Sequence, residues 1–325
     1  MGTYLLRRSI EYSIVLFMAS VLIFFVLHLS PGGPFDQLRF TKGHISKDYI
    51  QNLEKMLGLD QPLHVRYANW AWKLLQGDFG TSWKVSVGKP VVSLIQSRLG
   101  NTLVLMSASL ALSLLIALVI GIYSAVKQYS FMDYTVTGLS FFGISMPIFW
   151  FGLMMMLVFA LQFKEWGLPY LPVAGMYSTG KEADLLDRLR HLVLPVTVLS
   201  LYQVASWSRY IRSSMLEVLR QDYVRTARAK GLVERVVLLK HALRNALIPL
   251  ITVVALSIPG LFGGAIITET IFAWPGMGRL FYNAIIASDW PLAMGILIIS
   301  AVLVVASNLM ADILYAVVDP RIHYT

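Results

Sequence analysis

Six stretches of the chain are long, apolar and nearly free of charge. They cover residues 10–30, 101–125, 137–162, 191–210, 246–271 and 290–317. A hydrocarbon layer of about 30 Å requires about 20 apolar residues in a helix. Backbone groups in lipid must be satisfied within the segment, so each stretch is predicted to be helical. The pattern predicts an all-α integral membrane protein with about six transmembrane helices, of which the fourth is the most polar.

The segment 31–100 has a different pattern. Lys47–Leu57 is typical of a short helix stopped by Gly58, and a second helix is predicted from Pro62 to Gly77. Residues 90–99 form an amphipathic lead-in to the second span. Three tryptophans, Trp70, Trp72 and Trp83, suit a membrane interface. Two interpretations stay open for this segment, a packed interfacial cap and a surface that contacts substrate.

Charge adds an orientation. Only 14% of residues are charged, against about 25% in soluble domains, and the net charge is +9. Lys and Arg near the span ends number 13 on one side, over 1–9, 126–136, 211–245, 318–325 and Arg209, against five in the loops 163–190 and 272–289, which predicts cytoplasmic N and C termini. Arg188 and Arg190 oppose this orientation mildly. We expect the first helix to be retained, because no small-x-small cleavage site follows it.

The predicted organisation has three parts. Residues 1–97 hold the first transmembrane helix and an extracytoplasmic segment. Residues 98–317 form a five-helix core, whose cytoplasmic loop is 211–245. Residues 318–325 form a cytoplasmic tail.

Few residues are candidates for chemistry. Ionisable side chains in or near the spans are Glu11, His28, Glu269 and Asp312. Such residues are functional candidates, but their places near span ends favour interfacial or paired roles. No cluster has metal-ligand spacing, no nucleophile–base set is visible, and the chain has no cysteine. We therefore expect neither a metal nor an enzymatic centre.

Residues 175–181, Gly-Met-Tyr-Ser-Thr-Gly-Lys, imitate a phosphate-binding loop. The imitation fails at Glu182, where a hydroxyl should hold magnesium, and no buried strand precedes it. We expect no nucleotide site here.

Prolines and glycines mark possible bends. Pro147, Pro195, Pro249 and Pro259 lie in or beside spans, and the fifth span adds Gly260, Gly263 and Gly264. Ordinary bundle packing and a pathway-lining helix that bends during gating both remain possible.

The stretch from Arg209 to Arg244 is the most informative, because it is long, basic and helical in pattern. Ala227 and Gly231 are four residues apart and are predicted to share one bare helix face. Positive charge on the cytoplasmic side explains the basic residues. It explains neither the length nor the bare face, and a docking element for a cytoplasmic partner explains both.

Several motifs here resemble the permease subunits of type I ABC importers, in the dipeptide/oligopeptide group. The strongest are Asp222–Leu232, His241–Thr252, Gly263–Leu280 and Val318–Ile322. Earlier matches are LHLSPGGP at 27–34, LGLDQPL at 57–63, GDFGTSW at 77–83 and SMPIFWFG at 145–152. The Glu-Ala-Ala pattern of the wider superfamily is matched only loosely, with Arg225, Thr226 and Ala227 at its three positions. The glycine of that pattern is Gly231, and Pro249 comes later than usual.

The resemblance implies the importer permease fold and a short coupling helix that docks on an ATPase. The residues so implied are Asp222, Tyr223, Arg225, Thr226, Ala227, Arg228, Lys230, Gly231 and Leu232. It also implies a second homologous permease, one or two ABC ATPase subunits and an extracytoplasmic solute-binding protein. ATP and Mg would be bound by the ATPases, with no cofactor in this chain. We expect membrane lipid and no nucleic acid as further contacts, and a bacterial cytoplasmic (inner) membrane as the location.

Three alternatives remain. The same machinery could carry an oligosaccharide, nickel or glutathione. A secondary carrier acting alone would want repeated halves and a mid-membrane acid, and neither is visible. A membrane anchor or receptor would need neither the docking helix nor the Pro/Gly-rich fifth span.

Overall fold

A computed structural model describes residues 2–29, 55 and 58–318, without the side chains of residues 2–5 and 311–318. Over this part, the chain is helical apart from loops and one isolated bridge between Thr81 and Pro90. Twelve helical runs are α1 (Gly2–Leu29), α2 (Leu63–Leu75), α3 (Val91–Val126), α4 (Phe131–Ser145), α5 (Ile148–Glu165), α6 (Leu185–Leu219), α7 (Asp222–Ala229), α8 (Glu234–Ala246), α9 (Ile248–Gly263), α10 (Ile266–Ile271), α11 (Met277–Ala287) and α12 (Trp290–Val318).

Four of the described helices are long and apolar enough to cross a membrane. They are Leu6–Leu29 in α1, then α3, α5 and Trp290–Met310 in α12. The pair α8–α9, bent by 48°, counts as a fifth if it forms one span. The predicted span 191–210 lies within α6, which is helical but is not among these helices. Gln203, Ser206, Ser208 and Arg209 make the end of this stretch polar.

Two predicted spans are broken rather than continuous. The stretch 137–162 is divided at Met146, which takes an extended backbone (ψ 126°) before Pro147. Proline disfavours helical geometry in the residue before it, so α4 ends there. The stretch 246–271 is interrupted at Gly264, whose φ of +73° favours glycine. Beyond that glycine the chain resumes as the short helix α10.

The described residues belong to two compact units, Met1–Gly100 with Leu280–Thr325, and Asn101–Arg279. In the first, α1 packs on α12. Phe24, Trp290 and Met294 form its apolar centre. The predicted helix after Pro62 is confirmed as α2. The predicted helix Lys47–Leu57 lies outside the described residues, Lys55 excepted.

The second unit is built around α6. Its largest apolar cluster joins Trp207, Ile211 and Met215 of that helix to α3, α7 and α8. Gly121 of α3 permits this contact, because a Cβ there would lie 2.8 Å from the Cβ of Ile211. The lead-in at 90–99 is part of α3 itself, which runs without a break from Val91.

Candidate functional site

The segment Asp222–Leu232 forms one short helix followed by a tight turn. Helix α7 covers Asp222–Ala229, and Lys230 caps it by donating its N–H to the carbonyl of Thr226 at 3.0 Å. Gly231 then takes a φ of +73° and donates to the carbonyl of Arg228 at 2.9 Å. A glycine in this left-handed conformation is a common helix end. The predicted helix and its break at Gly231 are therefore confirmed.

The prediction of a bare face shared by Ala227 and Gly231 is wrong. Ala227 is 5% exposed and Val224 is fully buried. Both pack inward against Met215, Val237 and other members of the apolar cluster. The alanine is small because α7 lies close to the π-helical turn Val237–Ala242. Gly231 lies beyond the helix end. A Cβ atom added there would have no other atom within 4 Å.

The rest of the predicted segment faces outward. Its exposed residues, here called the outer face, are Asp222, Tyr223, Arg225, Thr226, Arg228, Ala229, Lys230, Gly231 and Leu232. Tyr223 is 42% exposed and Leu232 is 41% exposed, and the neighbouring Val233 is 71% exposed. The outer face thus combines apolar surface with basic side chains, a combination suited to contact with another protein.

Ion pairs stiffen this region. Arg228 donates from Nη2 and Nε to the carboxylate of Glu234, at 2.7 and 3.2 Å. The pair joins the end of α7 to the first turn of α8, across the Gly231 turn. Arg225 lies 3.7 Å from Asp222 within α7. Both pairs are exposed to solvent, so they orient side chains more than they stabilise the fold.

An ion pair between a buried carboxylate and a partly exposed arginine fixes the helix on which α7 rests. Arg212 of α6 donates to both oxygens of Asp133, at 2.7 and 2.8 Å. Ser124 and the N–H of Tyr129 donate to the same carboxylate. The hydrogen bonds from Arg212 hold the pKa of Asp133 well below its usual range, although burial opposes them. Sequence patterns gave no signal for this pair, because its members are far apart along the chain.

The other ionisable candidates are paired or packed. Glu11 accepts hydrogen bonds from Arg7 and Arg8 at 3.1 Å each. His28 stacks on Phe24, with ring centroids 3.9 Å apart. The side chain of Asp312 lies outside the described residues. These observations favour the structural interpretation of Glu11 and His28.

Glu269 is fully buried and organises the chain after the fifth span. Its carboxylate accepts from Thr102 Oγ1 at 3.0 Å and from the N–H of Arg279 at 2.9 Å. Gly276 lies against it so closely that a Cβ would come within 2.4 Å of Oε2. Trp274 donates its indole N–H to the carbonyl of Asn101 at 3.0 Å. The Gly263–Leu280 motif therefore forms a closely packed loop, which the buried carboxylate of Glu269 holds together by hydrogen bonds.

The loop 175–181, which resembles a phosphate-binding loop, makes its hydrogen bonds to a residue of the same chain. The N–H and hydroxyl of Ser178 both donate to Asp187, at 2.6 and 2.9 Å. No strand precedes this loop within the described residues. No group of three or more His, Cys, Asp or Glu side chains in the described part could hold a metal ion.

Sequence reasoning missed Asp289. This buried carboxylate accepts from Ser82 Oγ at 2.5 Å and from the backbone N–H groups of Trp83, Lys84 and Val85 at 2.9 to 3.1 Å. Burial raises its pKa, but these donors lower the pKa more. The GDFGTSW motif thus supplies a loop that wraps one acid. A serine-containing motif gives no hint of an acid so distant in sequence.

Comparisons with known proteins cover the whole chain. Residues 117–324 match the family described as the inner membrane component of binding-protein-dependent transport systems. Residues 1–106 match the N-terminal region of such membrane components.

Three relatives are similar over nearly their full length. The oligopeptide transport system permease protein of Bacillus subtilis is 45% identical over all of both chains. A putative peptide permease protein of Brucella suis is 42% identical over 99% of each. The dipeptide transport system permease protein of Escherichia coli K12 is 36% identical over 94% of each. The chain belongs to the family of inner membrane components of binding-protein-dependent transport systems and is a multi-pass membrane protein.

Proposed function

We propose that the chain is the transmembrane permease subunit of an ATP-driven importer of di- or oligopeptides. Full-length similarity to permeases named for oligopeptide and dipeptide transport carries this proposal. The solute crosses between this chain and a second homologous permease by alternating access. An extracytoplasmic binding protein delivers the solute, and one or two ABC ATPases supply the energy.

The chain itself is non-catalytic in this proposal. ATP and Mg bind to the ATPase subunits in this proposal, and the Ser178 loop of this chain instead donates its N–H and hydroxyl to Asp187. The outer face of Asp222–Leu232 meets the ATPase. Supporting this assignment are its exposure, its mixed apolar and basic surface, and its attachment through Val224 and Ala227 to the α6 core.

Uptake by the assembled system tests the proposal. Cells lacking the gene should lose binding-protein-dependent uptake of labelled di- or oligopeptides and regain it with the gene restored. Selective loss of oligosaccharide, nickel or glutathione uptake would replace the peptide assignment with that solute. Uptake by the purified chain alone in vesicles, driven by an ion gradient without ATPases, would contradict the importer and indicate a secondary carrier.

A further inference from the structure

A cavity of about 610 Å³ lies in the unit formed by α1, α2 and α12. Its lining includes Phe24 and His28 from the last turns of α1, and Pro291 and Met294 from the first two turns of α12. Both helices are spans. A cavity that reaches the ends of two neighbouring spans lies at the level of lipid headgroups, whichever face of the membrane it occupies.

Helix α2 forms a wall of this cavity. Tyr67 holds it to α1 through a hydrogen bond of 2.9 Å with Ser20 and a ring contact of 5.5 Å with Phe24. Trp70 packs on Phe24, with ring centroids 5.5 Å apart, and Trp72 also lines the cavity. Tryptophan is enriched where membranes meet water, because its ring is apolar and its N–H is polar.

Two cations of α2 line the same cavity. Arg66 and Lys73 are seven residues apart, which places them on one helix face two turns apart. Neither has a carboxylate oxygen within 4.0 Å in the described part of the chain. Burial lowers the pKa of Arg66. Among the described lining residues Asp78 is the acid, and it accepts from the N–H of Gly80 at 2.8 Å.

We propose that this cavity binds the phosphate headgroup of an anionic membrane lipid, with Arg66 and Lys73 on the phosphate and the aromatic wall against the glycerol and upper acyl chain. A free anion would use the cations but not the apolar wall. A zwitterionic lipid would use the wall but gain less from two cations, because its own ammonium offsets its phosphate. The anionic amphiphile satisfies both at the level where such lipids lie.

Brominated lipids test this directly, because bromine quenches nearby tryptophans. The purified full chain in detergent is titrated with brominated phosphatidylglycerol and, separately, with brominated phosphatidylcholine. We expect saturable quenching by phosphatidylglycerol at a lower lipid concentration than by phosphatidylcholine. Trp72→Phe should reduce the amplitude of quenching and leave its midpoint unchanged. Equal midpoints for the two lipids would overturn the proposal.

Variants then assign the cations. Arg66→Gln with Lys73→Gln should weaken phosphatidylglycerol binding by about fivefold for each cation removed. Arg66→Lys keeps the charge and should retain the affinity, which separates charge from folding. The matched control is Lys181→Gln with Arg220→Gln, two exposed cations outside the cavity. An unchanged midpoint in the Arg66/Lys73 variant would overturn the proposal.

Competitors identify the source of the anion. Neither millimolar inorganic phosphate nor millimolar dipeptide should displace brominated phosphatidylglycerol. Displacement by phosphate would show a free-anion site, and displacement by dipeptide would show a site for the substrate carboxylate. Either result would overturn the lipid proposal.

Discussion

Arg212 forms a bidentate ion pair with Asp133, in which Nε donates to Oδ1 at 2.7 Å and Nη2 donates to Oδ2 at 2.8 Å. The pair ties the first turn of α4 to α6, and α6 carries Ile211 and Met215, the residues on which α7 packs. The orientation of the proposed coupling helix thus rests on an interaction outside it.

Replacing Asp133 with Ala should therefore destabilise the chain. Removing one member of a fully buried pair costs about 3–5 kcal/mol. We expect about 2 kcal/mol here, because the Arg212 side chain left behind is 26% exposed and partly hydrated. Thermal unfolding in detergent measures this, with Arg225→Ala as the exposed control that should leave the midpoint unchanged. The pKa of Asp133 is lowered in the fold. The difference between wild type and variant should therefore persist at neutral pH and shrink only as pH falls below about 4.

The burial of Ala227 predicts an effect on folding. Ala227→Leu should lower the free energy of unfolding by about 1–3 kcal/mol, because the added carbons overpack the contact with α8. Ala229→Leu, at an exposed position of the same helix, is the matched control and should change stability little. Normal stability of Ala227→Leu would mean that this face of α7 is open.

The turn at Gly231 makes a separate prediction, about backbone conformation. Its φ is +73°, and a Cβ atom added there would have no other atom within 4 Å. A side chain at this position therefore adds backbone strain without a steric clash. Gly231→Ala should cost about 1–2 kcal/mol, and Gly231→Asn should cost less, because asparagine tolerates this conformation. The control is Gly138→Ala, in the middle of α4 with open space around it. That change should stabilise instead. Equal effects at the two glycines would contradict the argument.

Orientation in the membrane is open to a labelling test, since the chain has no native cysteine. Single cysteines at Gln76 and Lys181 should react with an impermeant thiol reagent in intact cells. Cysteines at Lys127 and Thr226 should react only after the membrane is opened. All four side chains are exposed in the structure, so lack of labelling reports the membrane rather than burial. Labelling of position 226 from outside would reverse the predicted topology.

How far the sequence predicts the structure depends on the range of the interaction. The spans in α1, α3 and α12 follow from local hydrophobicity, and the end of α7 follows from the glycine at 231. The inward turn of Ala227 could not be predicted, because a small residue suits a buried contact and a docking face equally. Asp133 and Asp289 were missed because their partners, Arg212 and Ser82, come from distant parts of the chain.

A bulky substitution tests coupling only at an exposed position of α7, because a buried position would also change folding. Thr226 lies on the outer face and donates its hydroxyl to the carbonyl of Asp222 at 2.9 Å. Thr135 is an exposed threonine in α4 with the same kind of bond, to Phe131 at 2.8 Å. The two positions therefore have the same local geometry, and only Thr226 belongs to the proposed ATPase contact. Arg225→Ala and Lys230→Ala remove exposed charge alone and should weaken coupling less than a bulky wedge.

The most direct test of the coupling claim is to measure peptide uptake and ATPase co-purification for Thr226→Trp beside Thr135→Trp. The account predicts that Thr226→Trp inserts and pairs with the second permease, yet retains less ATPase or hydrolyses ATP without uptake. Thr135→Trp should behave as wild type in both measurements. Normal uptake with normal ATPase recovery for Thr226→Trp would contradict the assignment of Asp222–Leu232 as the coupling segment.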